Sequence, residues 1–522
     1  MKKQIVKQLY WIIPGLIVIF GLALLFYQNF SKVTEPPEPN WSRALTVGST
    51  DVSRLPPIKE KENGNYLITA FKDEKLSTIT INENFIVEDT KTYDIPVDKW
   101  TQIYQQDDRI IYFDYTNIYD SDKNEIVSDV ERFFPLKNTI LYIKDKKLYE
   151  LSPEDNKSVK IMNIDLNKQN IVPQQNANEI NIVTYTPRQT GIDFQLFQLH
   201  NSELEEKFQT EITVAPGKIV TDIIYALDGN KLGVILQEEL ENSQGKPVFF
   251  NYYKEMTLDG ENEQQQKELT FQDPAGSSQL TEINSIEFKY KEGKPSLLFQ
   301  ANGQTETQYN DSTSFNIYKA EINSNGTTIT ERRSNTPAIS VDPQWLNDET
   351  VAWVDLDNEG NKINISSSNI TAVNQATGFQ QDDWLRALGK TLGMISSSMF
   401  GIAISAVWFI WPLTFIALMY FFRSRTIDRD PTWVFYLGIS IYAMAALFWK
   451  NQFFVPNIYM NAPNYLTFDG SSYFYMMLFA VIAYIIAQLT KQSNEWDGTV
   501  RIMYFVGVHI LLLTAFFGPY LI

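Results

Sequence analysis

Residues 342–368 read DPQWLNDETVAWVDLDNEGNKINISSS, and this stretch decides the fold of the chain. A polar turn at Asn347–Glu349 precedes the apolar run Thr350–Asp355, and a polar loop then leads into the alternating run Lys362–Ser368. A further short run, Val341–Trp345, comes before the turn. Alternating apolar residues bounded by turn residues predict short β-strands. The stretch therefore predicts one antiparallel unit of successive strands.

The same pattern recurs along the central part of the chain. Its apolar strands begin near residues 66, 110, 140, 180, 231, 296 and 350, about 47 residues apart on average. A further strand follows most of them, including Ile370–Val373 after the quoted unit. Four-stranded units at this period are typical of propeller blades. We predict a mainly β domain that is a seven-bladed β-propeller; six or eight blades, or two β-sandwich domains in tandem, are the alternatives.

The quoted stretch resembles a blade of the extracytoplasmic β-propellers of the TolB and WD40-like kind. In that family a strand containing P-x-W meets a turn with Asp or Asn, then an apolar strand and a polar hairpin. Here Pro343 and Trp345 match the first element, although the WD dipeptide is absent from the chain. The resemblance extends over about residues 40–375 and is fainter in the other units. It implies the fold alone and carries no catalytic residue.

Five apolar segments predict membrane-spanning helices, one near the N-terminus and four near the C-terminus. A helix needs about 20 predominantly apolar residues to cross a bilayer. The five segments are Leu9–Tyr27, Ser398–Phe422, Trp433–Trp449, Ser472–Leu489 and Ile502–Leu521. The first is not followed by a small-x-small cleavage site, so we interpret it as an uncleaved anchor rather than a signal peptide.

Basic residues beside these segments predict their orientation. They are Lys2, Lys3 and Lys7 before the first segment, Arg423, Arg425 and Arg429 between the second and third, and Lys491 and Arg501 between the fourth and fifth. Lys and Arg in short loops favour the cytoplasmic side of a membrane. We therefore expect a cytoplasmic N-terminus, with the large domain and the C-terminus on the extracytoplasmic side.

These patterns divide the chain into five parts. They are residues 1–30 as the cytoplasmic N-terminus and transmembrane anchor, 31–40 as a Pro- and Glu-containing linker, 41–380 as the propeller, 381–397 as an interfacial amphipathic helix, and 398–522 as a four-helix transmembrane region. The interfacial helix is indicated by apolar residues at helical spacing from Trp384 to Leu392.

Charge and cysteine content narrow the classes of function. Residues 33–384 have 32 basic and 57 acidic residues, which gives a net charge of −25. Such a surface argues against nucleic-acid binding, which depends on Lys and Arg, and favours basic partners. The chain has no cysteine and is rich in Lys, Asn, Ile and Gln. Because large eukaryotic extracellular domains usually have disulfides, we expect a bacterial protein, of Gram-positive type.

Two acidic loops have part of a calcium-binding pattern. Asp355, Asp357 and Glu359 place oxygen donors at alternate positions before Gly360, as Ca²⁺ loops do, although Ser366 stands where a twelfth-position acid is needed. Asp120-x-Asp122-x-Asn124 is followed by Glu131 at the twelfth position but has Glu125 in place of the glycine. A solvated hairpin turn is the favoured interpretation of both loops. The alternative is a calcium site at Asp355, Asp357 and Glu359, and we expect no other cofactor.

Catalysis by a Ser-His or Cys-His pair is disfavoured, because the chain has two histidines, no cysteine and no G-x-S-x-G motif. We predict a non-enzymatic binding or assembly protein of the cell membrane, whose propeller engages a protein, a peptide or a cell-wall component. One alternative is a subunit of a membrane export or transport complex. Another is an extracellular carbohydrate- or peptide-processing enzyme, which would have carboxylates of raised pKa at the propeller axis.

Overall fold

The structure, a computed structural model, describes residues 2–61, 64–106, 109–176, 179–241, 247–276, 278–305, 307, 313–323, 326–358, 360–378, 381–494 and 496–521. The chain forms two compact units. One consists of Glu35–Gly378, and the other combines Met1–Thr34 with Phe379–Ile522. We refer to them as the propeller unit and the helical unit.

The described residues of the propeller unit form seven four-stranded antiparallel sheets, each a blade. Blades 1 to 3 comprise β2 Lys59–Glu60, β3 Tyr66–Lys72, β4 Lys75–Ile81 and β5 Val87–Pro96; β6 Gln102–Gln106, β7 Arg109–Phe113, β8 Ile118–Asp120 and β9 Glu125–Val127; and β10 Arg132–Pro135, β11 Ile140–Lys144, β12 Lys147–Leu151 and β13 Ser158–Asn163. Blades 4 to 6 comprise β14 Asn170–Asn176, β15 Glu179–Pro187, β16 Gly191–His200 and β17 Glu203–Thr213; β18 Ile219–Asp228, β19 Lys231–Glu241, β20 Pro247–Thr257 and β21 Lys267–Glu268; and β22 Thr281–Lys291, β23 Lys294–Gln304, β24 Thr313–Ile322 and β25 Thr328–Arg332. This arrangement confirms the predicted seven-bladed β-propeller.

Blade 7 combines strands from both ends of the propeller unit. It contains β26 Ile339–Trp345, β27 Thr350–Leu356 and β28 Asn361–Ser367, and its fourth strand is β1 Leu45–Thr50. The prediction of a fourth strand at Ile370–Val373 is wrong, because this segment begins helix α2, Ile370–Ala376. The Asn369 side chain caps that helix by accepting a hydrogen bond from the Thr371 N–H at 2.8 Å. The β1–β28 pairing therefore closes the ring.

The hydrophobic core of the propeller unit lies between neighbouring blades. The second strand of a blade is apolar on both faces, since each face packs against a different neighbour. In β11, for example, Ile140 and Tyr142 pack with blade 2, whereas Leu141 and Ile143 pack with blade 4. This explains why the second strands read as continuous apolar runs rather than as alternating ones.

The first strands of the blades line the centre of the ring, and those of neighbouring blades, such as β18, β22 and β26, contact each other. Because every blade is an antiparallel meander, the loops entering the first strands lie on the same face as the loops joining second and third strands. We call this the entry face. The segment between β1 and β2 crosses it.

The helical unit is built from helices of very different lengths. They are α1 Lys2–Val33, α3 Gln381–Asp428, α4 Thr432–Phe448, α5 Lys450–Phe453, α6 Pro456–Asn461, α7 Ser471–Asn494 and α8 Gly498–Phe517, followed by a 3₁₀ turn at Gly518–Tyr520. Among the described residues, four segments are long and apolar enough to cross a membrane: Tyr10–Val33, Gln381–Asp428, Ser471–Leu489 and Gly498–Tyr520. Helix α4 is apolar but shorter, at 17 residues.

Helix α3 differs from the predicted boundary at residue 397. Residues 381–397 do not form a separate helix, since α3 continues from Gln381 through the next apolar segment to Asp428. Its backbone departs from helical geometry at Arg423, with φ −142° and ψ 42°. Trp384, Leu385 and Leu392 are exposed, so the predicted apolar positions do lie on the surface of the helical unit.

Candidate functional site

Three consecutive blades present an acidic residue on their first strand. Asp222 lies on β18, Glu287 on β22 and Asp342 on β26. Arg54, in the segment between β1 and β2, interacts electrostatically with both Asp222 and Asp342, and the charge of Asp342 acts on Glu287. We call these four residues the axial acidic cluster.

Each of the three strands is irregular where it presents its acid. The pairing register with the second strand shifts beside Asp222, before Glu287 and across Asp342. Asp342 also has a left-handed backbone conformation, with φ 52°. β-Bulges bend a strand and redirect its side chains, and they and strained non-glycine residues are frequent at functional sites. The irregularities therefore set the direction of these carboxylates.

Asp342 is held by the segment that crosses the entry face. Its Oδ2 accepts a hydrogen bond from the Leu55 N–H at 2.8 Å, and its Oδ1 lies 4.0 Å from Arg54 Nε. Gln344 fixes the same segment by accepting from the Ile58 N–H at 3.0 Å. Burial raises the pKa of Asp342, although the Leu55 N–H and Arg54 oppose that shift. Its charge is thus only partly compensated.

Among the three acids of the cluster, Glu287 has the largest shift in pKa. Burial, reinforced by the nearby charge of Asp342, raises its pKa to about 7, even though its Oε2 accepts a hydrogen bond from the Trp345 N–H at 3.0 Å. Lys289 acts in the opposite direction but more weakly. Glu287 therefore changes charge near neutral pH.

Asp222 and Arg54 are the members of the cluster that meet solvent. The Arg54 side chain is 88% exposed, although it interacts with two acids. Asp222 is exposed, yet desolvation by the surrounding protein raises the pKa of its carboxyl group. The hydrogen bond from the Ile223 N–H and the charge of Arg54 act in the opposite direction. Asp222 therefore touches water but has lost part of its hydration to the surrounding protein. The cluster is therefore accessible from outside.

The chemistry of this arrangement favours a bound cation. Neighbouring carboxylates that are partly desolvated are stabilised by any positive charge close to them. Within the cluster, Arg54 is the member that supplies a positive charge. Its Nε lies 4.0 Å from Asp342 Oδ1, and its side chain is largely exposed. A carboxyl group whose pKa is near 7 can also serve as a general acid or base.

The sequence contained a weak signal for this site. Thr221-Asp222 and Asp342-Pro343 are polar interruptions in otherwise apolar or alternating strands. Neither interruption indicates by itself which way the side chain turns, since the outcome depends on the bulge. The sequence pattern places Asp342 in a short strand, Val341–Trp345, and does not predict the cluster.

The structure gives Asp355 of the predicted calcium loop a structural role. Asp355 is 4% exposed, and its carboxylate accepts hydrogen bonds from Ser340 Oγ, Trp353 Nε1 and Asn364 Nδ2, each at 2.7 Å. These donors come from β26, β27 and β28. Burial raises the pKa of Asp355 in spite of them. The residue therefore joins three strands of blade 7 through one buried acceptor.

Of the other two predicted ligands, the structure describes Asp357, which follows β27. Asp357 is 3.7 Å from Lys362 Nζ across the hairpin. Glu359 lies outside the described residues. In the described part of the chain no group of three or more His, Cys, Asp or Glu residues is arranged to hold a metal ion. Because Glu359 is not among the residues considered, the calcium site stays a prediction.

The second acidic loop is organised by hydrogen bonds within the turn. Asp120 Oδ1 accepts from the N–H groups of Asp122 and Asn124, both at 2.9 Å, and Oδ2 accepts from Asn124 Nδ2 at 3.0 Å. Burial alone would raise the pKa of Asp120, but these hydrogen bonds outweigh it and the pKa is lowered. Glu131 instead accepts from the Lys146 N–H at 3.3 Å. The arrangement is that of an Asx turn.

His509 connects three helices of the helical unit. Its Nε2 lies 3.0 Å from the Met476 carbonyl oxygen on α7, and its Nδ1 lies 2.7 Å from the Tyr442 hydroxyl on α4. A carbonyl only accepts, so Nε2 carries the proton and Nδ1 accepts from Tyr442. Both ring nitrogens are thus used in helix packing.

Comparison with known proteins gives similarity in fold only. No protein-family model matches the chain, and no curated protein sequence matches it. Among solved structures, the WD40 domain of Neurospora crassa Pan2 is 11% identical, with a TM-score of 0.35; the match covers 64% of this chain and 93% of that one. The N-terminal domain of Nup159 is also 11% identical, with a TM-score of 0.37, covering 64% and 97%. The polysaccharide lyase Uly1 is 10% identical, with a TM-score of 0.38, covering 62% and 91%.

The class of the protein follows from its own strand order rather than from these similarities. The described residues form a seven-bladed β-propeller and apolar helices of membrane-spanning length. Propellers serve as both enzymes and binding scaffolds, so the fold does not assign an activity.

Proposed function

We propose that this chain is a non-enzymatic binding or assembly protein of a Gram-positive cell membrane, with its propeller on the extracytoplasmic side. Its partner is a basic segment of a protein or peptide, bound at the axial acidic cluster. The observation that carries the proposal is the set of three acids of raised pKa beside the exposed Arg54.

The charge of the propeller unit supports a basic partner. Residues 33–384 have a net charge of −25, so an approaching basic segment is attracted over a distance. At the cluster, a partner Lys or Arg can take the position of Arg54 beside Asp342 and Asp222. Each acid then gains a counter-ion in a partly desolvated place, where such pairing is stronger than in water.

The membrane arrangement is part of the same proposal. Helix α4 crosses the bilayer together with the four longer segments, since its 17 apolar residues are near the lower limit for a span. Arg423, Arg425 and Arg429 then face the cytoplasm, and five crossings put the propeller outside.

A binding measurement with a defined cationic probe tests the site. The full-length protein in detergent is titrated with a fluorescent Lys-rich peptide and with a Glu-rich peptide of equal length. The double variant Asp222→Asn/Asp342→Asn keeps both side-chain shapes and removes two charges. The matched control Asp89→Asn/Asp122→Asn removes two charges from exposed acids away from the first strands.

We expect the axial variant to bind the Lys-rich peptide about tenfold more weakly or worse, as expected for loss of close charge pairs. The control should bind within about twofold of the unchanged protein, because exposed charges contribute little at physiological salt. Equal losses in both variants would show that the peptide responds to total charge alone, and the axial site would be rejected.

The natural partner is identified separately. The protein is crosslinked in its native membrane beside a version that lacks residues 40–380, and the material that copurifies with each is identified by mass spectrometry. Partners lost with the propeller support a propeller-based binding protein. Partners retained by the helices alone favour the alternative of a subunit in a membrane export or transport complex.

An enzyme remains the second candidate because one observation favours it. The cluster has the carboxylates of raised pKa that the enzyme alternative requires, and Glu287, with a pKa of about 7, suits acid–base catalysis. The test is incubation with peptidoglycan fragments and with unstructured peptides, followed by mass spectrometry of the products. Turnover that disappears in Glu287→Gln would replace the binding proposal with an enzymatic one.

A further inference from the structure

Arg501 has an unusual environment in the helical unit. The sequence places it in a short basic loop, where a solvated side chain is expected. The structure instead places it in the first turns of α8, with 2% exposure. A cation that is removed from water needs an anion or several hydrogen-bond acceptors.

The described residues compensate this charge only in part. Arg501 Nη2 donates to Gln488 Oε1 at a long 3.3 Å, and the guanidinium lies 4.0 Å from the centre of the Phe435 ring. Within the part of the chain that the structure describes, its Nε has no hydrogen-bond partner. No ion pair with an acid of those residues accompanies it.

The two nearest helix-capping acids are engaged elsewhere. Asp497 caps α8 by accepting from the Val500 N–H and from Thr499 Oγ1, both at 2.8 Å. Asp430 accepts from the Gly498 N–H at 2.6 Å. These carboxylates neutralise the N–H groups at the start of α8. Among the described residues, the guanidinium of Arg501 therefore has no anionic partner.

Two tyrosines extend this environment to the surface of the helical unit. Tyr436, next to Phe435 on α4, lies within electrostatic range of Arg501 and is 48% exposed. Its hydroxyl is 3.3 Å from that of Tyr484. Tyr484 and Gln488 are one turn apart on α7 and are both partly exposed. Polar side chains from two helices, α4 and α7, thus lie near the buried cation and reach the surface.

We propose that Arg501, Gln488, Tyr436 and Tyr484 bind the phosphate group of an anionic phospholipid. Arginine donates two parallel hydrogen bonds to phosphate, and Nε and an Nη group are the pair it uses. The two phenol hydroxyls and the Gln488 amide supply donors for the remaining oxygens. Basic pockets between membrane helices at the cytoplasmic side are typical sites for anionic lipid head groups.

The surroundings of the site favour a lipid over an acidic residue of another protein. The site borders exposed apolar side chains on both helices, including Leu437 on α4 and Ile485 and Leu489 on α7. Acyl chains can lie against these side chains while the phosphate meets Arg501. This inference rests on the membrane arrangement given under the proposed function, but not on the ligand proposed for the propeller.

The test compares lipids on the full-length protein in a neutral detergent. Phosphatidylglycerol, phosphatidylcholine and inorganic phosphate are titrated separately, and lipid retention by native mass spectrometry is measured beside the thermal midpoint. We expect phosphatidylglycerol to remain bound and to raise the midpoint more than phosphatidylcholine does. In Arg501→Gln its affinity should fall by about tenfold or more, the usual loss for a hydrogen bond to a charged group.

Matched variants separate this site from general charge effects. Arg425→Gln removes an exposed arginine from the other basic segment of the helical unit and should leave phosphatidylglycerol binding unchanged. If Arg501→Gln fails to fold, Tyr436→Phe/Tyr484→Phe keeps the apolar packing and should weaken phosphatidylglycerol severalfold without lowering the lipid-free midpoint. The proposal is overturned if both lipids act equally, if inorganic phosphate acts as strongly as the lipid, or if the phosphatidylglycerol preference survives in the site variants.

Discussion

The propeller unit and the helical unit bury charged groups in opposite ways. Asp355 in blade 7 is surrounded by three donors at 2.7 Å, which satisfy both oxygens of its carboxylate, although burial still raises its pKa. Arg501 in the helical unit has one hydrogen bond at 3.3 Å and a ring face. In the first case the charge organises the fold, whereas in the second it requires a group from outside. Buried charge therefore indicates a ligand only where its partners are incomplete.

The propeller unit and the helical unit also differ in where their apolar side chains lie. The propeller places its apolar side chains between blades, where neighbouring sheets remove them from water. The helical unit has a core too, but many large apolar side chains on α3, α4 and α7 remain exposed. A surface of this kind is stable in hydrocarbon, and packing between helices must then come from close contact rather than from the hydrophobic effect.

The largest effect is expected from the network of blade 7. Trp353→Ala removes a fully buried ring and one of the donors to Asp355, which should cost about 3–5 kcal/mol. Thermal unfolding of the full-length protein, followed by the β-sheet circular dichroism signal, measures the loss. Trp100→Ala is the control, because that ring is 58% exposed and should change stability by no more than about 0.5 kcal/mol. Similar losses in both variants would contradict the role assigned to the network.

The axial acidic cluster should make propeller stability depend on pH. The pKa of Glu287 is raised from 4.5 to about 7, so the folded state holds its proton more tightly than the unfolded state does. The protonated Glu287 contributes to the free energy of unfolding by at most about 3 kcal/mol. This contribution is fully present below about pH 4.5 and is lost as the pH rises through about 7. Denaturant unfolding between pH 4.5 and 8 should detect this fall, and Glu287→Gln should reduce it. An unchanged slope in the variant would remove Glu287 as the cause.

Close helix contact in the helical unit is tested with a pair of glycines. A Cβ added at Gly438 in α4 would lie 2.4 Å from Ile502 Cδ1 on α8, so Gly438→Ala should cost about 1–3 kcal/mol through overpacking. Gly507 in α8 has no atom within 4 Å of such a Cβ, and Gly507→Ala should be neutral or slightly stabilising. The midpoint of the helical circular dichroism signal in detergent distinguishes them. A loss in both would point to helix flexibility rather than contact.

The smallest effect is expected for an exposed ion pair of the propeller. Lys123 Nζ lies 3.0 Å from Asp94 Oδ2, and the Lys123 hydrogen bond lowers the pKa of Asp94. Both side chains are well exposed, so Lys123→Ala should change stability by less than about 1 kcal/mol. The difference should shrink further at high salt. A larger, salt-independent loss would mean that the side chain packs as well as pairs.

The repeated apolar strands predicted the blade number because every second strand is buried on both faces, and that leaves a strong local pattern. The fourth strand of blade 7 was missed since nothing local in Leu45–Thr50 indicates pairing with Asn361–Ser367. Ile370–Val373 was predicted as that strand although Asn369, a favourable N-cap residue, stands directly before it. The repeat pattern outweighed the capping signal.

The sites were harder to predict than the blades. Asp355 was predicted as a calcium ligand because oxygen donors alternate in the sequence around it. The same alternation also places every second side chain of a strand on the buried face of the sheet. Asp222, Glu287 and Asp342 are far apart in the sequence, and only the ring brings their strands into one group. Arg501 lies in a basic loop pattern, which predicts orientation in a membrane and says nothing about burial.

The pairing of Leu45 with Ile365 has a consequence for biosynthesis. A growing chain contains β1 first, yet β28 is made only after six complete blades. Until then β1 is an open edge, and such edges pair with whatever strand they meet. The ring can close only when its last blade arrives, since distant contacts form late in folding. Chains interrupted before residue 361 thus leave the edge of β1 unpaired and open to pairing with other strands.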